Sequence, residues 1–250
     1  MSARASAWRG HLQELRCELV RLLREPMYVL PTLLFPALFY VMFGLLIGGR
    51  DGGDAARYLL VTYGVFGTLG AALFGVAVTV SIDRERGFMA LRRALPAPPT
   101  GWLTARLAIA MLFSLLISLQ LAALAMLAGG VSMAPGAWVM LWAVNLLGAV
   151  PFCAIGLLIG CVTSANAAPA VVNVLFLPMA FLSGLWLPLE MLPGPLAELA
   201  PAWPAYHLAQ IGLRVVGLEA GQPLWLHVAA LLLVGGACAV LAQRGLRRAG

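Results

Sequence analysis

Lysine is absent from this 250-residue chain: all sixteen basic side chains are arginine. Without lysine there is no P-loop lysine to hold nucleotide phosphates, no Schiff base and no lysine nucleophile, so the chain is not expected to hydrolyse ATP itself. Charge is also scarce, at 10% of residues against roughly 25% in soluble domains. No Asp, Glu or Arg falls centrally within an apolar stretch, where ion-coupled carriers usually keep one to bind the ion. Energy for any transport must therefore come from another chain. Cys17, Cys153, Cys161 and Cys238 show no CxxC or metal-ligand spacing, and three of them lie in apolar stretches where cysteine acts as a small filler. His11, His207 and His227 are far apart in the sequence and lack neighbouring carboxylates, which disfavours a metal site. Ser183 with His207 or His227 is only formally an intramembrane protease pair, since no nucleophile motif surrounds the serine.

What is present is hydrocarbon. Hydrophobic residues make up 62% of the chain, and mean hydropathy is +0.94, the composition of an integral membrane protein. Charges cluster and leave four charge-free windows, 26–49, 58–82, 107–189 and 220–243. A spanning helix needs about 20 apolar residues, so three windows hold one helix each and the long one holds three. Gly- and Pro-rich breaks at 129–136 and 163–169 divide the long window. An all-α protein with six spans is expected, near 28–48, 58–80, 106–128, 137–162, 168–187 and 223–243. The strict alternation of a transmembrane barrel is missing.

Arginine sets the orientation, because basic residues in short loops stay in the cytosol. With six spans the termini share a side, and that side carries thirteen arginines against Arg50, Arg57 and Arg214 on the other. Both termini and the 83–106 insert are thus expected in the cytosol, with the protein multi-pass in the cytoplasmic membrane. The net charge of +6 reads as topology and contact with anionic lipid, and nucleic acid is not an expected partner. The first 25 residues place Trp8, Leu12, Leu15, Leu19 and Leu22 at helical spacing among Arg and Glu, which reads as an amphipathic interfacial helix rather than a cleaved signal. Pro26, Pro31 and Pro36 then turn the chain into the first span and kink it.

Small residues recur in the spans. Gly44 with Gly48 and Gly156 with Gly160 form small-xxx-small pairs, while Gly64, Gly67, Gly70 and Gly75 line the second span. The shared GLLIG pentapeptide is coincidence, since nothing around it repeats. The isolated polar residues Gln120, Asn145, Asn173, Ser114 and Ser118 either join neighbouring helices or line a path, with helix joining favoured.

Two stretches stand apart. Residues 83–105 open with an acidic-basic cluster, continue as a short helix from Gly87 to Leu95 with Arg92 and Arg93 adjacent, and are cut by Pro96, Pro98 and Pro99. Residues 188–222 are too apolar for an exposed loop and too rich in proline for a full span. They read as an outer hairpin of two short re-entrant or interfacial helices, with Trp186 just before them and Trp203 and Tyr206 within them at headgroup depth.

Together these stretches resemble the ABC-2 type family of ATP-binding-cassette permeases, over essentially the whole chain as a single transmembrane domain, 1–250. The resemblance rests on Asp83, Arg84, Glu85, Arg86 and Gly87 followed by Leu91, Arg93, Leu95 and Pro96, similar to the family's coupling segment. It rests equally on Leu182, Ser183 and Gly184 followed by Pro188, Glu190 and Pro193, then Pro204, Tyr206 and Leu213 with Arg214. The family's usual Asn-Pro is Trp203-Pro204 here, and its usual Thr after the coupling leucines is missing around Ala94 and Leu95, which bears on capping and on fine contacts with an ATPase. The resemblance implies an exporter half: two copies of the chain, most simply a homodimer, with separate ATPase subunits that carry ATP and magnesium, and no cofactor in this chain. Glu85, Arg92 and Arg93 would contact the ATPase, while Gly87, Pro96, Pro98 and Pro99 would set the shape of the segment. Glu190, Pro193, Pro204 and Tyr206 mark the outer hairpin. An amphipathic small molecule such as a drug, secondary metabolite or lipid-like cargo is the expected substrate. A polysaccharide or lipo-oligosaccharide is the alternative, and a non-transporting scaffold or sensor subunit the rival of another class.

Overall fold

The computed structural model describes residues 3–47, 52–88, 91 and 101–248, and the regular structure within them is helical throughout. The amphipathic start forms α1 (Ala3–Leu23). Pro26 at the first helical position opens α2 (Pro26–Phe39), which continues as a π-helical stretch, Tyr40–Ile47. Pro31 and Pro36 lie inside α2 and remove two of its N–H donors. The longest helix, α3 (Asp54–Glu85), is followed by α4 (Gly101–Leu127), α5 (Pro135–Val162) and the shorter α6 (Ala168–Leu182). A chain of short turns and α7 (Gly194–Glu198) leads to α8 (Pro204–Val215) and to the last long helix, α9 (Leu224–Arg248).

α3 is the axis of the bundle. It packs most heavily on α5, then on α4, with α2 and α6 also against it, while α9 packs along α5 and α8 lies against α3, α5 and α9. The α3–α5 contact is close because α5 presents glycine to it. A Cβ at Gly160 would stand 2.7 Å from the Ala77 carbonyl, and one at Gly156 would stand 3.1 Å from that of Leu73. Small residues let helix backbones approach where lipid supplies no hydrophobic drive. Between α3, α4 and α5, Asn145 donates to Ser118 Oγ at 3.1 Å and to Leu141 O, Ser114 donates to Asn145 O at 2.8 Å, and Thr68 bonds Ser114 at 2.6 Å.

The expectation of an all-helical, multi-span protein is met. Among the described residues five helices are long and apolar enough to cross a membrane, Pro26–Leu46, Asp54–Glu85, Gly101–Leu127, Pro135–Val162 and Leu224–Gly245. The expected span 168–187 holds α6, an apolar helix of 15 residues that rises about 22 Å. It stops because Gly184 takes φ +75°, with Leu185 N–H donating to Ala180 O and Gly184 N–H to Phe181 O, a Schellman end. The backbone beyond is held by tyrosines: Tyr58 Oη donates to Gly184 O at 2.8 Å and Tyr63 Oη to Trp186 O at 3.3 Å.

The second span is also longer than expected and absorbs Asp83, Arg84 and Glu85, assigned above to the cytosolic insert; Arg106 likewise sits within α4. Asp83 and Arg106 persist on these helices because they pair with each other inside the protein, while Arg84 and Glu85 bond backbone groups. On α1 the packed face is Leu15, Glu18 and Leu22, whereas Leu12, within the expected apolar stripe, is 49% exposed.

Candidate functional site

The C-terminal turn of α3 is a charged hub. Asp83, 2% exposed, accepts from Arg106 Nη2 of α4 at 2.5 Å and from Arg21 Nη1 of α1 at 3.2 Å. Arg106 Nη2 also lies 3.5 Å from Glu18 of α1, and its guanidinium sits 5.5 Å from the centre of the Trp102 ring. The next two residues turn the other way. Arg84 donates to the carbonyls of Cys161 and Thr163, and Glu85, exposed, accepts the Ala165 N–H at 3.0 Å. One helical turn thus ties α1 and α4 to the connection between α5 and α6. Buried pairs of this kind cost much to break, because a lone charge is left away from water.

Gly87 directly follows the hub at φ +72°, exposed and with open space around it. Phe88 and Leu91 are helical and exposed. Arg92, Arg93, Pro96, Pro98 and Pro99 lie outside the described residues. The sequence reading missed the hub itself. Its signal was available, since Asp83 and Arg106 sit at the edges of apolar windows, and Glu18 lies between Leu15 and Leu22 on one helical face.

A second feature is an apolar cleft of about 410 Å³ between α2, α3 and α6. Its walls are aromatic, with Phe39 at the centre of a cluster whose ring centres lie 6.0 Å from Tyr63, 6.0 Å from Phe66 and 6.2 Å from Trp186. Phe176 of α6 closes on Phe66 at 5.0 Å and on Phe74 at 5.5 Å. Polar groups on the lining are few: Tyr28, which bonds Ala71 O, Thr32, which bonds Tyr28 O, and Asn173, which bonds Pro169 O. Trp186 therefore packs in this cluster, where the sequence reading put it at headgroup depth. Asn145 is buried in the α3–α4–α5 hydrogen-bond network, and Gln120 is half-buried on α4.

In the 188–222 stretch Glu190 and Pro193 are exposed and Pro204 starts α8. Tyr206 is 4% exposed and packs on two histidines that the sequence keeps apart. His207 Nδ1 lies 2.9 Å from His227 Nδ1, and His207 Nε2 lies 3.0 Å from the Pro201 carbonyl. A carbonyl only accepts, so His207 carries its proton on Nε2, and His227 donates Nδ1–H to His207 Nδ1. Burial holds the His207 imidazole below its ordinary value, opposed by the bond to Pro201. Both His207 nitrogens are thus engaged, and the buried Ser183 Oγ has no hydrogen-bond partner, so no serine–histidine pair forms.

Comparison with known proteins gives the family. The family profile described as "ABC-2 type transporter" matches residues 14–215, from within α1 to the end of α8. A relative in Bacillus subtilis (strain 168), "Putative transport permease YvfS", is 26% identical over 217 residues, covering 86% of this chain and 88% of that protein. With the match running through the hub, the cleft and α8, the chain belongs to the ABC-2 type transporter family.

Proposed function

We propose that this chain is the membrane-spanning half of an exporter in the cytoplasmic membrane, with both termini cytosolic, working as a homodimer with separate ATPase subunits that hold ATP and magnesium. Its cargo is an uncharged or weakly charged amphipathic small molecule. The observation that carries the reading is the aromatic cleft between α2, α3 and α6. Such walls take up an apolar or aromatic body at little desolvation cost, and the few hydroxyl and amide groups suit a single polar end. A polysaccharide would bring many hydroxyls needing partners, which this lining lacks.

In this reading Arg92 and Arg93 meet the ATPase, and Gly87, Pro96, Pro98 and Pro99 shape the segment that carries them. Glu85, exposed, meets the ATPase as well and fastens the segment's start to the α5–α6 connection through the Ala165 N–H. Force on residues 86–100 would then arrive at the hub and spread to α1, α4 and α5 together. The test is transport of an amphipathic fluorescent dye by the permease reconstituted with its ATPase. Phe66→Ala and Trp186→Ala should slow dye export while basal ATP hydrolysis stays, and Arg92→Glu with Arg93→Glu should abolish dye-stimulated hydrolysis. Dye export unchanged in both cleft variants would overturn the cargo assignment, and stimulation unchanged in the arginine variant would overturn the coupling assignment.

A further inference from the structure

A second groove, of about 640 Å³, runs between α5, α8 and α9. Leu147 and Pro151 of α5, Leu208 and Ile211 of α8, and Leu231 and Leu232 of α9 line it, with hardly a polar atom. It faces away from the protein core, since Leu147 is 62% and Leu232 69% exposed. Glycine gives it depth. Gly148 lies under Leu208 with no room for a Cβ, Gly235 lies against the Pro151 ring, and Gly236 opens onto empty space.

Its dimensions point to one occupant. Along α9 the lining runs from Val228 to Ala239, a rise of about 16 Å, or one leaflet of the ~30 Å hydrocarbon core. An extended acyl chain matches that length and, like the lining, has no polar group that needs a partner. At the α8 end stands a cation. Arg214 lies one turn beyond Ile211, is exposed, and has no carboxylate within ion-pair distance among the described residues; its one hydrogen bond is to Gln222 O at 3.4 Å. Trp225, 70% exposed on the first turn of α9, marks the same level as the membrane interface.

We propose that this groove is a binding site for an anionic phospholipid of the leaflet on the α8 side, with one acyl chain along α5 and α9 and the phosphate at Arg214. The lipid is a resident of the fold and separate from any cargo in the α2–α3–α6 cleft. Occupied, it would fill the space between α8 and α9 that protein side chains leave open, and it would favour anionic headgroups by the charge of one guanidinium.

The purified full-length protein in nanodiscs of phosphatidylcholine, doped with phosphatidylglycerol carrying a photoreactive group in its acyl chain, provides the test. Label should appear on peptides of α5 and α9 around Leu147 and Leu232. Gly236→Phe, which fills the groove from a position with free space, should cut that labelling at least fivefold with the thermal midpoint unchanged. Arg214→Gln, a surface change that leaves the groove open, should abolish the advantage of phosphatidylglycerol over a matched phosphatidylcholine probe while both still label. Labelling spread evenly over all the helices, equal labelling in Gly236→Phe, or an unchanged headgroup preference in Arg214→Gln would overturn the proposal. So would efficient disulfide formation between two copies carrying Leu232→Cys, which would make the groove an interface between chains.

Discussion

Replacing Asp83 by Asn removes one charge from a group of four that is otherwise balanced. Asp83 and Arg106 each keep 3% of their side-chain surface, so water cannot take over when the partner goes. Arg21 is 31% exposed and can swing toward Glu25, 4.0 Å away, so its loss is small. Arg106 keeps Glu18, at 3.5 Å, and the Trp102 ring, but loses its shortest carboxylate contact. Unit charges about 4 Å apart interact by about 4 kcal/mol at an effective dielectric constant of 20, and breaking a buried pair from one side costs about 3–5 kcal/mol. A loss of about 3 kcal/mol corresponds to a fall in Tm of about 6–12 °C for a domain of this size.

The chain carries its own reporter of this unfolding: Cys153 and Cys161 are buried while Cys17 is exposed. In a background of Cys17→Ser and Cys238→Ser, which removes the exposed and the half-buried thiol, a thiol-reactive dye reads the melting of the bundle directly. The change should raise the charge of the hub without removing volume, so Asp83→Asn combined with Arg106→Gln should lose less than the sum of the single changes by about 1–3 kcal/mol. An unchanged Tm in Asp83→Asn, or strictly additive losses, would refute the idea that the hub is a cooperative unit.

Two further outcomes are expected. Asn145→Leu strips a partner from Ser118 and from Thr68 at the α3–α4–α5 contact and should cost about 1–2 kcal/mol, read by the same dye; no loss would mean that these bonds are replaced within the bundle. As pH falls, the unfolded chain takes up a proton at His207 near its ordinary value of about 6.5, before the native protein does, because burial lowers the native value. Stability is therefore full above about 6.5 and declines as pH drops through the lower native value. His207→Gln should flatten that acid limb of Tm against pH, and an identical slope would exclude the histidine pair as its source.

Which parts of this molecule were legible in its sequence follows from what each part depends on. Spans announce themselves through local composition, so α2, α3, α4, α5 and α9 fall where charge-free windows stand. The end of α6 depends on a single backbone angle at Gly184 and on tyrosines 126 and 123 positions away, which no window of hydropathy reports. The hub escaped for a related reason: counting Asp83 and Arg106 as loop charges assumes that charge means solvent, and the assumption fails when four such groups neutralise one another. His207 and His227 are 20 positions apart, and only the fold of the short helices between α6 and α9 turns them face to face. The glycines of α5 were read correctly as contact residues, though their partner, the carbonyl face of α3, was not deducible from spacing.

The tyrosine bonds from α3 to the end of α6 have a mechanical consequence for the cleft. They fasten α6 to the central axis at its far end, while Phe176 fastens it along its length through Phe66 and Phe74. That side of the cleft is a fixed jaw. The opposite side, α2, lacks two backbone hydrogen bonds at Pro31 and Pro36, unwinds into a π-helical stretch from Tyr40, and has Met27, Leu30, Leu34 and Phe35 largely exposed. The aperture of the cleft is therefore set by how far α2 bends, and its hinge lies in the helix itself rather than in a loop.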